Sequence, residues 1–326
     1  MPRRVSFSTP AIVLRTVDFG ESDRIVTVLS RDFGKFTGIA KGAKRSRRRF
    51  SGALEIAARV RLDFRRRRDS QMAFLERAVV RASWPALVQS MPRYAAAVHV
   101  IEVADKISVE HEVGDDLFQT IDAALDCFGR IEPGRFVLRL FELAVLGAGG
   151  WRPRFDVCVV CGRALAAAGH AASLDVDGGG VRCARCARDG GLRLHPETLG
   201  CLQRLDEASR NHRAPRFDVE SEIEEWLEGH HEAGAVAPAG RSPGRRRVDQ
   251  ELRTALMLML GPHLRSPLRA LEVLPHLRVL GETVGKDFGD GRETAFAEQS
   301  VEAAGEAAAA DRVEETHMEW GPGQLG

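Results

Sequence analysis

The sequence predicts an α+β chain of more than one domain: a small N-terminal β-barrel, an α-helical domain behind it, and a cysteine-rich insert among the helices. Three observations carry this. The hydrophobic period changes near Trp84-Pro85 from the two of a strand to the 3.6 of a helix. Charge is unevenly placed, with 20 Lys/Arg against 8 Asp/Glu in residues 1–81 but 3 against 11 in residues 282–326. Four of the six cysteines fall into two Cys-x-x-Cys pairs.

The barrel reads as five short strands. Ala11–Val17 is β-branched and lies between Pro10 and the turn Phe19-Gly-Glu-Ser22. Arg24–Leu29 comes next, then the turn Ser30–Gly34 and the strand Lys35–Ala40. A polar basic loop, Lys41 to Arg49, precedes Leu54–Phe64; Arg65–Asp69 reads as a hairpin tip and Met72–Val80 as the last strand. Five such strands in so short a span suit a closed barrel of the oligonucleotide-binding (OB) type, with an open sandwich as the alternative.

Beyond Trp84 helical faces take over. Tyr94, Val98, Ile101, Ala104 and Ile107 share one face; Leu117, Ile121, Leu125 and Phe128 another; Phe136, Leu140, Leu143 and Leu146 a third, ending at Gly149-Gly150. Helical spacing returns around Leu199–Leu205, Ile223–Leu227 and Leu252–Leu260, and the Gly/Pro/Ala/Arg-rich stretch Gly229–Arg247 reads as an irregular loop. The organisation expected is therefore 1–82 barrel, 83–280 helical domain with an insert at about 151–195, and 281–326 an acidic tail. The tail is too poor in apolar residues to offset its ordering entropy, so disorder is expected there.

In the insert, Cys158-Val-Val-Cys161 and Cys183-Ala-Arg-Cys186 are separated by 21 residues. Each pair forms a tight knuckle aiming two sulfurs at one point. Two knuckles make the closed four-thiolate shell that one structural Zn²⁺ prefers, with no open position for substrate. A redox Cys-x-x-Cys is the competing reading, but it would need only one pair. Cys127 and Cys201 lie on apolar helical faces and read as ordinary buried cysteines.

The basic head supplies the candidate nucleic-acid contacts: Lys35, Lys41, Lys44, Arg45, Arg47, Arg48 and Arg49. In an OB-type barrel a loop entered from a strand stands beside the ligand, where guanidinium and ammonium groups meet phosphates. The bland alternative is a solvated loop. A membrane surface is the weaker partner, because the run has no apolar helical face. Phe33, Phe36, Phe50 and Phe64 are candidate stacking residues, for each of which core packing is the preferred reading. No phosphate-binding loop, His-Glu-x-x-His, Gly-x-Ser-x-Gly or deaminase motif occurs, so catalysis is not expected. The N-terminus has no apolar run of a secretory signal, and a cytoplasmic location is expected.

These parts, in this order, resemble the RecO family. Ile12-Val-Leu-Arg15 and Phe19-Gly-Glu-Ser-Asp23-Arg24-Ile-Val-Thr-Val-Leu29 are similar to that family's first hairpin. Phe33-Gly-Lys35, Ala40-Lys-Gly-Ala-Lys44 and Phe50-Ser-Gly-Ala-Leu54 are similar to its continuation through the third and fourth strands. Phe141-Glu-Leu143, the two cysteine pairs, Arg253, His263-Leu264 and Pro267-Leu-Arg269 resemble the helix, zinc insert and last segments of the zinc-bearing members. The resemblance implies a bacterial, nucleoid-associated mediator of DNA repair and homologous recombination in the RecF pathway. Such proteins bind single- and double-stranded DNA, anneal complementary strands, and act with RecR and the single-stranded-DNA-binding protein to load RecA. Two rivals remain at this level: a zinc-ribbon RNA-binding or ribosome-associated module, and an accessory subunit of a nuclease or ligase. The acidic tail and an unusually long 213–247 region have no counterpart in the resemblance.

Overall fold

A computed structural model of the chain describes residues 6–46, 48–66, 72–165, 171–188, 191–211, 215, 218–230 and 243–268. The chain divides into two units, Met1–Glu282 and Thr283–Gly326. The second lies outside the described residues, as do Arg47, Arg67–Asp69 and the expected disorder of 281–326.

Five strands close the expected barrel: β1 (Ser6–Phe19), β2 (Asp23–Ser30), β3 (Gly34–Ala40), β4 (Arg59–Arg65) and β5 (Ala73–Ala82), in the order β1-β2-β3-β5-β4. β1 pairs antiparallel with β2 and β4, and closure comes from a short parallel contact of β3 with β5 at Gly38↔Ala73 and Ile39↔Phe74. Alternation sends Val13, Val26, Val28, Phe36, Leu62 and Leu75 inward. At one end Phe7, Phe33, Phe36 and Phe64 form an aromatic cluster with ring centroids 4.7–5.4 Å apart.

The fourth strand starts later than its apolar run suggests. Leu54–Ala58 is a turn, because Ala53 and Leu54, with Phe50, are folded into the barrel core instead of pairing along β4.

The helical region comprises α1 (Met91–Ile107), α2 (Asp115–Arg130), α3 (Arg135–Ala148), α4 (Pro196–Ser209), α5 (Val219–His230) and α6 (Pro243–Leu260). α3 is the central element, buried on every side from Phe136 to Leu146 and packed on α2, α4, α5 and α6. The expected irregular loop ends earlier than Arg247, since Pro243 opens α6; proline suits a first helical position, where its missing N–H costs nothing. Residues 231–242 lie outside the described residues. Between α3 and α4 stands the insert, a small sheet β6 (Arg154–Cys158), β7 (Ala172–Asp175), β8 (Gly180–Cys183) and β9 (Arg193–Leu194) in the order β6-β8-β7-β9.

Barrel and helices share a core. Ile12, Leu14 and Leu29, on the outer side of β1 and β2, pack with the helical residues. Polar ties flank them: Arg31 to Asp115 at 2.8 Å, Arg59 to both oxygens of Asp122 at 2.8 Å, and the amide of His111 to the carbonyl of Lys35 at 2.9 Å. Gly34 makes the approach possible. It has φ 67°, and a Cβ there would lie 2.1 Å from the Glu112 carbonyl oxygen.

Candidate metal centre and nucleic-acid interface

Cys158 ends β6 and Cys183 ends β8, and pairing of these strands sets the two knuckles side by side. The four sulfurs of Cys158, Cys161, Cys183 and Cys186 lie within 4.8 Å of one another, with Cys161 and Cys183 at 3.8 Å. Zn–S bonds of about 2.3 Å in a tetrahedron give sulfur–sulfur edges of about 3.8 Å. Each knuckle closes on a 2.9 Å backbone bond, Gly162 N–H to Cys158 carbonyl and Cys186 N–H to Cys183 carbonyl. Gly162 turns the first knuckle at φ 70°.

The electrostatics suit a cation. Burial opposes ionisation of Cys158, yet the amides of Cys183, Cys161 and Val160 outweigh it and bring the thiol down to about 6. Cys186 is instead pushed up to about 12, chiefly by sharing its S–H with Cys161 and Cys183. Four adjacent sulfurs cannot all ionise without a positive charge among them, which a divalent metal supplies. The residues present therefore fit a four-thiolate metal ion. By contrast, burial pushes Cys127 and Cys201 up to about 12, as expected of unreactive core thiols.

The basic loop is built rather than merely solvated. Asp23 Oδ1 accepts from the Gly42 amide at 2.7 Å, and that bond, with one from the Ser22 hydroxyl, holds its carboxyl below the usual range. The Lys44 amide donates to Ser22, and its ammonium donates to the Gly20 carbonyl at 3.1 Å and sits 3.0 Å from Asp18. Arg49 reaches back to the Lys41 carbonyl at 2.6 Å and lies over the Phe50 ring. Residues 42–45 are thereby clamped to the turn of the β1–β2 hairpin.

The seven sequence candidates consequently divide. Lys35 does not join the loop: its ammonium is buried, 2.8 Å from Asp105 Oδ1, and it anchors β3 to α1. Lys44 and Arg49 hold the loop's shape. Lys41, Arg45 and Arg48 are exposed, and none lies within ion-pair distance of a carboxylate among the described residues. Arg47 lies outside the described residues. The four phenylalanines proposed for stacking are core: Phe36, Phe50 and Phe64 are buried, and Phe33 packs against them.

One exposed aromatic of the barrel was missed. Phe19, at the tip of the β1–β2 hairpin, is 53% exposed. Strict alternation from Ala11 and Val13 would point it into the core, but a bulge between Val13 and Arg15 reverses the parity of β1.

Comparisons with known proteins agree with this architecture. Residues 4–84 match the family model described as Recombination protein O N terminal, and residues 88–230 match Recombination protein O C terminal. The DNA repair protein RecO of Anaeromyxobacter dehalogenans (strain 2CP-C) is 33% identical over 268 residues, covering 82% of this chain and 94% of the relative. That of Anaeromyxobacter sp. (strain K) is 38% identical over 194 residues, 60% of this chain and 75% of the relative. That of Myxococcus xanthus (strain DK1622) is 34% identical over 214 residues, 65% and 86% respectively.

Proposed function

The chain belongs to the Recombination protein O family of DNA repair proteins, and on that footing we propose that it is a non-enzymatic mediator that binds DNA strands and anneals complements. The observation that carries the reading is the loop whose Lys41, Arg45 and Arg48 are exposed and, among the described residues, outside ion-pair distance of a carboxylate, while Lys44, Arg49 and Asp23 tie it in place. A loop already tied in place spares the backbone part of the ordering cost when its cations meet phosphates. They read no bases, as suits a protein that must accept any sequence. Two strands held on such a surface meet at raised effective concentration.

In this reading Cys158, Cys161, Cys183 and Cys186 hold one Zn²⁺, which fixes the insert between α3 and α4 and takes no part in chemistry. The partners are single- and double-stranded DNA, RecR and the single-stranded-DNA-binding protein, with the recombinase RecA loaded downstream in the RecF pathway, in the bacterial cytoplasm.

Strand annealing tests the proposal. Purified protein should accelerate pairing of complementary oligonucleotides, including strands already coated with single-stranded-DNA-binding protein. The variant Lys41→Glu/Arg45→Glu/Arg48→Glu should not. Annealing by the variant at the wild-type rate would remove the loop from the function. Preference for RNA over DNA of the same sequence would favour a 2′-hydroxyl reader instead.

A further inference from the structure

We propose that Phe19 is a base-stacking residue, and that the free part of the outer face of β1–β2–β3 receives the unpaired bases of a nucleic-acid strand. This rests on the nucleic-acid reading above and adds to it the surface that distinguishes single strands from duplex.

The strand register defines the face. After the bulge, Arg15 stands opposite Thr27, Val17 opposite Ile25 and Phe19 opposite Asp23; on the next strand Ile25 pairs with Ile39 and Thr27 with Thr37. Val26 and Val28 point into the barrel core, so this set lies on the outside. Further along the same face the helices cover Leu29 and Lys35, which are buried. The uncovered part therefore carries an apolar row, Val17–Ile25–Ile39, with exposed Phe19 at one end and exposed Arg15 beside it.

Its position selects the occupant. The hairpin tip that bears Phe19 is the turn to which the basic loop is clamped, through Ser22, Gly20 and Asp23. A ligand touching Phe19 thus meets the turn to which the loop carrying Lys41 and Arg45 is tied. Aromatic and apolar groups flanked by exposed cations match a strand whose phosphates need positive charge and whose bases need π-faces. A duplex keeps its bases stacked and offers this face only phosphates. An apolar protein partner would not call for the cations.

Phe19→Ala should leave the fold unchanged, because the ring is largely exposed, and circular dichroism and thermal unfolding check this. The variant should bind a thymidine oligonucleotide on the order of tenfold more weakly than wild type. Stacking is not ionic, so the slope of log affinity against log salt should stay the same, whereas loss of Lys41 or Arg45 should flatten it. An abasic oligonucleotide of equal length should bind variant and wild type alike, as should duplex DNA. In Phe19→Trp, the thymidine strand should quench fluorescence beyond any change in wild type, and the abasic strand should not. Equal thymidine affinity for Phe19→Ala and wild type would overturn the assignment. So would an equal loss on abasic and base-bearing strands. A wild-type protein that binds no single strand would overturn the nucleic-acid reading itself.

Discussion

The ammonium of Lys35 lies 2.8 Å from the carboxylate of Asp105, which joins the third barrel strand to the first helix of the domain behind it. A lysine inside the basic segment thus serves architecture. Lys35→Ala should lower unfolding stability by about 1.5–3 kcal/mol, the range for a hydrogen bond to a charged group. The salt slope of DNA binding should not change. Denaturant unfolding and salt titration of the same variant separate the two roles, and a flattened slope would return Lys35 to the interface.

Zinc is expected to act through folding. Metal analysis of protein purified without added zinc should give one Zn²⁺ per chain, and Cys158→Ser should lower both zinc content and melting temperature, because binding energy at a structural site is folding energy. Stoichiometric zinc retained by Cys158→Ser/Cys183→Ser would contradict the four-thiolate site.

Inside the helical core, His99 Nε2 lies 3.0 Å from Glu142 Oε1, and the Arg139 guanidinium lies 2.8 Å from the other oxygen, with the glutamate fully buried. Removing one member strands the others away from water. Glu142→Ala should cost about 3–5 kcal/mol, read from the urea midpoint. A cost under about 1 kcal/mol would mean that water reaches the site.

Glu220 of α5 accepts the Phe136 amide at 3.0 Å and so caps α3, whose own N-cap residue, Gly134, has no side chain to do so. Burial raises its carboxyl to about 7, above the ordinary 4.5. The folded state therefore binds the proton more tightly than the unfolded one, and this contribution to stability is present below about pH 4.5 and lost as pH rises through 7. Glu220→Gln keeps an acceptor without the charge. It should match wild type near pH 5 and exceed it at pH 8, on the order of 2 kcal/mol. Parallel urea titrations at the two pH values check this; equal stability at pH 8 would refute it.

Periodicity and spacing were enough to read the barrel, the six helices and the cysteine quartet, because each is a local pattern. The face assigned to α1 was read incorrectly at its start, since Tyr94 is exposed and small Ala95, Ala96 and Ala97 with His99 and Val100 are buried instead. What escaped depended on long-range contacts. Leu54 belongs to an apolar run that reads as strand, but it is buried in the barrel core from a turn, a competition that only the closed structure decides. The bulge at Leu14 leaves no mark in composition, yet it turns Val17 and Phe19 outward. The basic run was legible as a whole. Its division into anchors and exposed cations was not, since Asp105, Asp23 and the Gly20 carbonyl come from elsewhere in the chain.

The most direct test of the interface is the salt dependence of single-strand binding by wild type and by the variant Lys41→Glu/Arg45→Glu/Arg48→Glu. For single strands the log–log slope is about −0.7 per phosphate neutralised. The variant should bind more weakly to every sequence, with a slope shallower by about 2 and an unchanged melting temperature. An unchanged slope and affinity in the folded variant would contradict the account.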